Sequence, residues 1–169
     1  MKIAIVGAHR VGKSTLAEEL QMNLPDYILE MEPYYQLETS GYEFSEIPTA
    51  EDFIEQFNYS ARLVSKSEGN VIFDRCVIDI LAYLHVITPG RNIQLLFKTA
   101  QSVIAGLDLL VFVPIEEPDL IPCRQTDLPK LRNRVNNLLY DWIGDFGIEV
   151  IEVGDTLLNR RDQVLAKIS

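Results

Sequence analysis

Gly7-Ala8-His9-Arg10-Val11-Gly12-Lys13-Ser14 follows the spacing G-x-x-x-x-G-K-[S/T], the P-loop pattern of phosphate-binding loops. The chemistry explains the residue types. Two glycines let the backbone wrap closely around phosphate oxygens with successive N–H groups pointing inward, and the helix that follows turns its positive dipole end to the same anion. Lys13 is placed to reach the β- and γ-phosphates and the Ser14 hydroxyl to ligate Mg2+, with Thr15 beside it. Gly7 through Thr15 are therefore the expected contacts of ATP with Mg2+, although the loop hardly distinguishes ATP from GTP. His9 and Arg10 occupy free positions of the pattern. Their peptide groups belong to the cradle, and the His9 side chain is expected to face solvent.

Two acids stand where phosphoryl transfer needs them. Val71-Ile72-Phe73-Asp74 is an apolar run ending in a carboxylate, the arrangement that sets an acid beside Mg2+. Ser14 and Asp74 are the candidate metal ligands; the alternative is that Asp74 merely caps the next helix. Arg75 follows at once, and Asp79 one helical turn later, either as a helix cap or as a group that orients Arg75. Glu32, before Pro33, ends another apolar segment. Strand C-terminal ends border the ligand crevice of a parallel sheet, so Glu32 is expected near Lys13 and Asp74, where a carboxylate suits acceptance of a hydroxyl proton. Glu30, on the same strand face, is the competing choice.

Positioning these groups requires rigid elements, and hydrophobic periodicity supplies them. Short apolar runs at 2–6, 27–31, 71–73, 109–113 and 148–153 read as buried strands. Helical spacing covers 11–24, 49–67, 77–87, 91–105, 127–143 and 156–168, with Thr49 as N-cap and Asp52 three residues on. Residues 33–48 and 116–126 read as irregular. Five strands alternating with helices predict an α/β three-layer sandwich around a mostly parallel sheet, in one domain over 1–169. With 47% apolar and 24% charged residues, a disordered chain is excluded. The apolar runs are strand-sized, too short for a membrane span. The two cysteines, Cys76 and Cys123, have no metal or disulfide spacing. A cytoplasmic protein with reduced thiols is the expectation.

The P-loop, the Glu32-Pro33 pair and Phe73-Asp74-Arg75 together resemble P-loop kinases of nucleosides and nucleotides: deoxynucleoside kinases, thymidylate kinase and the nicotinamide riboside kinase group. The chain also resembles small bacterial AAA-type ATP-binding proteins; Asp79-Ile80-Leu81-Ala82-Tyr83-Leu84 and Cys123-Arg124-Gln125-Thr126-Asp127 are further similar stretches. The resemblance implies a five-stranded parallel sheet of order 2-3-1-4-5 and a lid, about 116–134. It implies that Glu32 is the general base, that Arg124 first and Arg134 second reach the transferring phosphate from the lid, and that Gly154-Asp155-Thr156 borders the purine. Deoxynucleoside kinases have Glu-Arg-Ser where this chain has Asp74-Arg75-Cys76; the aspartate version is closer to thymidylate kinase. Lys130 and Arg132 are expected on a basic helix face that pairs with the acidic segment between Ser14 and Ala61.

The acceptor side, about 32–70, carries Glu32, Tyr34, Tyr35, Phe53, Gln56, Phe57 and Arg62, of which Glu32, Tyr35, Gln56 and Arg62 are the first choices. Stacking rings and an amide suit a planar base. Net charge is −10, but its distribution is uneven: between Ser14 and Ala61 lie 11 acidic residues and no Lys or Arg, while the rest of the chain sums to +1. A nucleic-acid or anionic-membrane partner is excluded by such acidity. A monophosphate acceptor calls for arginines or lysines, and this region offers only Arg62 and Lys66 with Arg75 at its edge. The expected activity is thus Mg-dependent transfer from ATP to the hydroxyl of an uncharged or cationic nucleoside-like molecule. The alternatives are a thymidylate-like monophosphate kinase and a regulatory ATPase with a protein partner. Helix 91–105 is the candidate contact of a homodimer, the alternative being that it belongs to the core, as apolar helices usually do.

Overall fold

Ile3-Ala4-Ile5-Val6 is fully shielded from solvent, as an unbroken apolar run requires of a strand covered on both faces. In the computed structural model, which describes residues 1–169, this run belongs to β1 (Lys2–Val6), the middle strand of a five-stranded sheet. The others are β2 (Ile28–Glu30), β3 (Val71–Asp74), β4 (Leu109–Phe112) and β5 (Val150–Glu152). Every pairing is parallel and the order is β2-β3-β1-β4-β5, the order the resemblance implied. Central β1, β3 and β4 read as continuous hydrophobic runs, whereas edge strands β2 and β5 are three residues long and partly exposed. Ile5 lies opposite Asp74 and Val6 opposite Phe112. The C-terminal ends of three strands therefore stop nearly level, and the chain leaving β1 enters the crevice there.

Seven helices flank the sheet. On one side α1 (Lys13–Asn23) packs against α7 (Leu157–Ile168). In the other layer α4 (Val77–Ile87) is enclosed by α3 (Ala50–Lys66), α5 (Gln94–Ile104) and α6 (Pro129–Trp142). Its sequence, VIDILAYLHVI, is apolar around nearly the whole circumference, which is how a helix buried on all sides reads. At the start of α3, Thr49 Oγ1 accepts from the Asp52 N–H (3.3 Å) while the Asp52 carboxylate accepts from the Thr49 N–H (2.9 Å). This capping box was legible from spacing alone. Phe53, Phe57 and Val64 then face the 38-residue core.

Two helices depart most from expectation. Within the stretch read as irregular, Pro33–Thr39 forms α2, with Pro33 at its first turn and Leu37 inward. Seven residues are too few to show helical periodicity, and the fixed φ of Pro33 starts the helix without a side-chain cap. Helix α6 begins at Pro129 rather than 127, because Leu128 has φ 52° and Gln125–Asp127 makes a 3-10 turn. Both cysteines are free, and no helix is long and apolar enough to cross a membrane.

Phe57, 1% exposed, anchors α3 to the core. Phe57→Ala should lower the unfolding free energy by about 3–5 kcal/mol, read as a lower urea midpoint at unchanged m-value. A loss under about 1 kcal/mol would contradict this anchoring.

Candidate active site

The loop between β1 and α1 is shaped by two glycines. Gly7 has φ 155°, and a Cβ there would overlap the Val113 carbonyl oxygen. Gly12, with φ 89°, is the N-cap of α1 and adopts a left-handed conformation that side chains resist. Between them Arg10 is also left-handed, at φ 55°. Lys13 is buried at the start of α1, and its Nζ donates to the Ala8 carbonyl at 2.6 Å. Burial lowers the Lys13 ammonium to about 8, Arg75 adding to the effect while Asp79, Glu32 and Asp74 oppose it.

Asp74 ends β3 at 2% exposure. Burial pushes its carboxyl above the usual range; the Ser14 hydroxyl beside it pulls back, Glu32 raises it further, and Lys13 and Arg75 lower it. One of its oxygens, Oδ1, is buried without a partner. An orphaned carboxylate oxygen next to a serine hydroxyl fits a hard cation that takes oxygen ligands, Mg2+.

Arg75 follows in a left-handed conformation, φ 78°, held by its N–H donating to the Ile5 carbonyl at 3.0 Å. A non-glycine residue there is strained and persists only because its surroundings hold it. Its Nε lies 2.8 Å from Glu32 Oε1 and 3.9 Å from Asp79 Oδ2. The Nε–H is not aimed at either oxygen, so both contacts are ion pairs rather than well-formed hydrogen bonds. Burial works against the Arg75 charge, but Glu32 and Asp79 outweigh it and keep the guanidinium protonated. Fully buried Asp79 also accepts from the Cys76 N–H at 3.1 Å, so it is both a cap of α4 and a partner of Arg75. Burial raises Asp79 to about 6, which Arg75 and Lys13 moderate.

Glu32, not Glu30, faces Arg75. Glu32 is the N-cap residue of α2, two residues past β2. Glu30 instead borders a separate depression with Tyr59, Arg62 and Lys66.

Three adjoining cavities run along the sheet's C-terminal edge. A middle one of about 340 Å³ is lined by the loop from His9 to Thr15, together with Glu32 and Arg75. It shares His9, Glu32 and Arg75 with a second cavity of about 160 Å³, walled by Tyr34, Phe44, Phe53 and Gln56. On its other side it shares Gly12, Thr15 and Ile121 with a third, of about 270 Å³, bordered by Asp155, Thr156 and Leu157, where the resemblance put the purine. In the second cavity Tyr34 stacks on Phe44 at 4.2 Å and Phe53 on Tyr83 at 5.5 Å. The Arg75 guanidinium sits over the Tyr83 ring at 5.4 Å. Asp52 also reaches this cavity. Burial alone would raise its carboxyl, yet hydrogen bonds from Thr49 and Ser45 hold it below the usual range.

Several expected residues lie elsewhere. The His9 side chain does not face solvent. The Tyr83 hydroxyl accepts from the His9 N–H and donates to His9 Nδ1, both at 2.6 Å, so Nε2 carries the proton and donates to the Asp127 carbonyl. The Tyr83 hydroxyl, hidden in an apolar helix, was the missing partner; burial raises it to about 12 and lowers His9. Tyr35 is 52% exposed, because it follows Tyr34 on a helix and turns about 100° away from it. Arg62 lies well beyond Gln56 along α3 and lines the separate depression. Phe57 belongs to the core. Arg124 is exposed in the β4–α6 connector and engaged only through its backbone, its N–H donating to the Asp127 carboxylate and its carbonyl accepting from the Asp127 N–H. Arg134 borders a groove with His85 and Asp141, away from the P-loop.

Arg132 is not on a basic surface face. It is 2% exposed, donates from Nε to the His9 carbonyl (2.8 Å) and from Nη2 to the Arg10 carbonyl (2.9 Å), and pairs with Asp119 at 2.6 Å. Arg160, unmarked in the sequence beside Arg161, donates from Nη1 to the Val11 carbonyl (2.6 Å) and pairs with Glu116 at 2.6 Å. Arg10 joins Asp127 at 3.0 Å.

Comparison with known proteins agrees with this architecture. The sequence profile of the AAA domain matches residues 2–161. The chain belongs to the AAA domain family. No curated protein matches it. Among solved structures, thymidylate kinase from Ehrlichia chaffeensis superposes with a TM-score of 0.75 at 15% identity, over 100% of this chain and 98% of that one. Deoxyadenosine kinase from M. mycoides gives 0.65 at 16%, over 99% and 98%. NadR protein in complex with NR gives 0.73 at 17%, over 99% of this chain but 48% of that one. These likenesses establish that this AAA domain has the P-loop nucleoside and nucleotide kinase fold.

A Lys13 ammonium lowered to about 8 is charged below that pH and neutral above it. Titration with Mg-ADP between about pH 7 and pH 9 should show affinity falling as pH rises through this value. Lys13→Ala should bind weakly and without that slope; a flat wild-type profile would contradict the assignment.

Proposed function

We propose that this AAA domain transfers the γ-phosphoryl group of ATP to a hydroxyl of a nucleoside-like small molecule. The observation that carries the reading is the junction of the phosphate cradle with the aromatic cavity, where Glu32 and Arg75 border both. Phosphoryl transfer needs an acceptor oxygen in line with the transferring phosphorus and little covalent help from the protein. A planar base between the Tyr34–Phe44 and Phe53–Tyr83 pairs would point its sugar toward Glu32.

Each side chain then has a role. The loop N–H groups and Lys13 bind the β- and γ-phosphates. Ser14 and Asp74 would hold Mg2+, which neutralises charge on the phosphate oxygens. Glu32 takes the acceptor's hydroxyl proton as that oxygen bonds to phosphorus and the bond to the ADP leaving group breaks. Arg75 fixes Glu32 and, with Asp79 behind it, keeps its own orientation. The kinases of thymidylate and of deoxyadenosine, and the NR complex, support this class of reaction.

The cavity favours an acceptor without a phosphate of its own. Glu32 and Asp52 both reach it, against one permanently charged cation, Arg75, which already faces Glu32. A monophosphate entering it would find no free arginine or lysine, the groups that usually bind it.

Glu32→Gln should reduce turnover by about 10²-fold or more while Mg-ATP affinity stays unchanged; altered affinity at normal turnover would remove Glu32 from the proton-accepting role. In a Mg-ATP acceptor screen, nucleosides should be phosphorylated and their monophosphates should not. Turnover of monophosphates alone would overturn the acceptor assignment.

A further inference from the structure

Loops that bind phosphate through N–H groups turn their carbonyl oxygens outward, and those oxygens need partners. In this loop the partners of three consecutive carbonyls come from two distant helices. Arg132 of α6 takes His9 and Arg10, and Arg160 of α7 takes Val11. We infer that Arg132 and Arg160 are positioning residues for the nucleotide's phosphates, clamping the outer face of the P-loop so that its N–H groups converge on the inner one. This rests on the reading that the loop binds a nucleotide.

Peptide planarity carries the effect across the loop. A carbonyl and the N–H of the next residue point in opposite directions, so fixing the oxygens of His9, Arg10 and Val11 aims the N–H groups of Arg10, Val11 and Gly12. The left-handed turn at Arg10 lies within the clamped stretch. Three fixed hydrogen bonds hold it in a conformation a non-glycine residue otherwise leaves.

Charge and burial argue that the arrangement is more than packing. Arginines are rarely this buried, and apolar side chains of similar volume usually stabilise a core as well as a buried ion pair does. Here two guanidiniums, 2% and 6% exposed, converge on one short backbone segment. Each is matched by an acid from the β4–α6 connector: Asp119, which holds Arg132 with both oxygens (2.6 and 3.2 Å), and Glu116, which holds Arg160. A planar fork is suited to bridging two carbonyls and a carboxylate, which the point charge of a lysine is not. Neither guanidinium needs to touch a phosphate, yet both polarise the peptides that do.

Calorimetric titration of Mg-ADP, Mg-ATP and AMP into the wild type, Arg132→Gln and Arg132→Lys tests the clamp. Loss of folded protein lowers the binding stoichiometry and leaves the Kd of the remainder unchanged; a misaimed loop raises Kd at full stoichiometry. Arg132→Gln should weaken Mg-ADP and Mg-ATP by about tenfold or more and AMP, with its single phosphate, much less. Arg132→Lys, which retains charge beside Asp119, should be weakened in the same order and carries the test if the glutamine variant does not fold. Wild-type Kd values in either folded variant would overturn the clamp. Failure of the wild type to bind Mg-ADP at all would instead overturn the nucleotide reading.

Discussion

Peptide groups are two-sided, and a loop that dedicates its N–H groups to one face must satisfy its carbonyls on the other. Much of the architecture around residues 7–14 answers that constraint. Gly7 passes so close to Val113 that no side chain fits, and Gly12 turns the chain into α1. Lys13 folds back onto Ala8, and the carbonyls of His9, Arg10 and Val11 are taken by arginines from α6 and α7. The connector after β4 supplies the acids that make those buried arginines tolerable. Elements more than 100 residues apart in sequence are thus tied to eight residues of backbone.

The opposite end of the crevice follows a different rule. Its walls are rings, and its charges are mostly held by one another: Glu32 and Asp79 by Arg75, Asp52 by Thr49 and Tyr42. The strongly acidic segment between Ser14 and Ala61 contributes two carboxylates to this cavity, Glu32 and Asp52, and Asp52 is already spent on capping α3. Most of the remaining acids of that segment are at least partly exposed and set the surface potential rather than the chemistry.

Elements with local signatures were legible in the sequence. The glycine and lysine spacing of the loop, the apolar strands and the Thr49–Asp52 box all depend on residues a few positions apart, and they stand where spacing put them. Strand order came from resemblance, not from the residues themselves. What spacing could not show is where a charged side chain ends up after folding. Arg160 and Arg161 are adjacent and chemically identical, yet Arg161 pairs with Glu19 and Asp162 at the surface while Arg160 is buried against the loop. Arg132 meets His9 across 123 residues. Tyr34 and Tyr35 differ only by one helical step, and that step decides which enters the cavity. The His9 side chain went unrecognised because its partner, the Tyr83 hydroxyl, lies in a helix that otherwise reads as pure core.

The helix that carries Tyr83 and Asp79 is the most enclosed in the molecule, with α3, α5 and α6 around it. The outer wall of the third cavity, by contrast, is the β4–α6 connector, fastened largely by ion pairs with Arg10, Arg132 and Arg160. Segments open locally with free energies that follow how much apolar contact they must give up. The two ends of the crevice therefore differ in stability: the Phe53–Tyr83 face of the aromatic cavity, which belongs to the core, can come apart only with it, while the connector can peel away from an intact sheet. Exchange of what lies under the connector is in this way uncoupled from the Phe53–Tyr83 face of the pocket beside it, and a fluctuation that frees the connector leaves that face assembled.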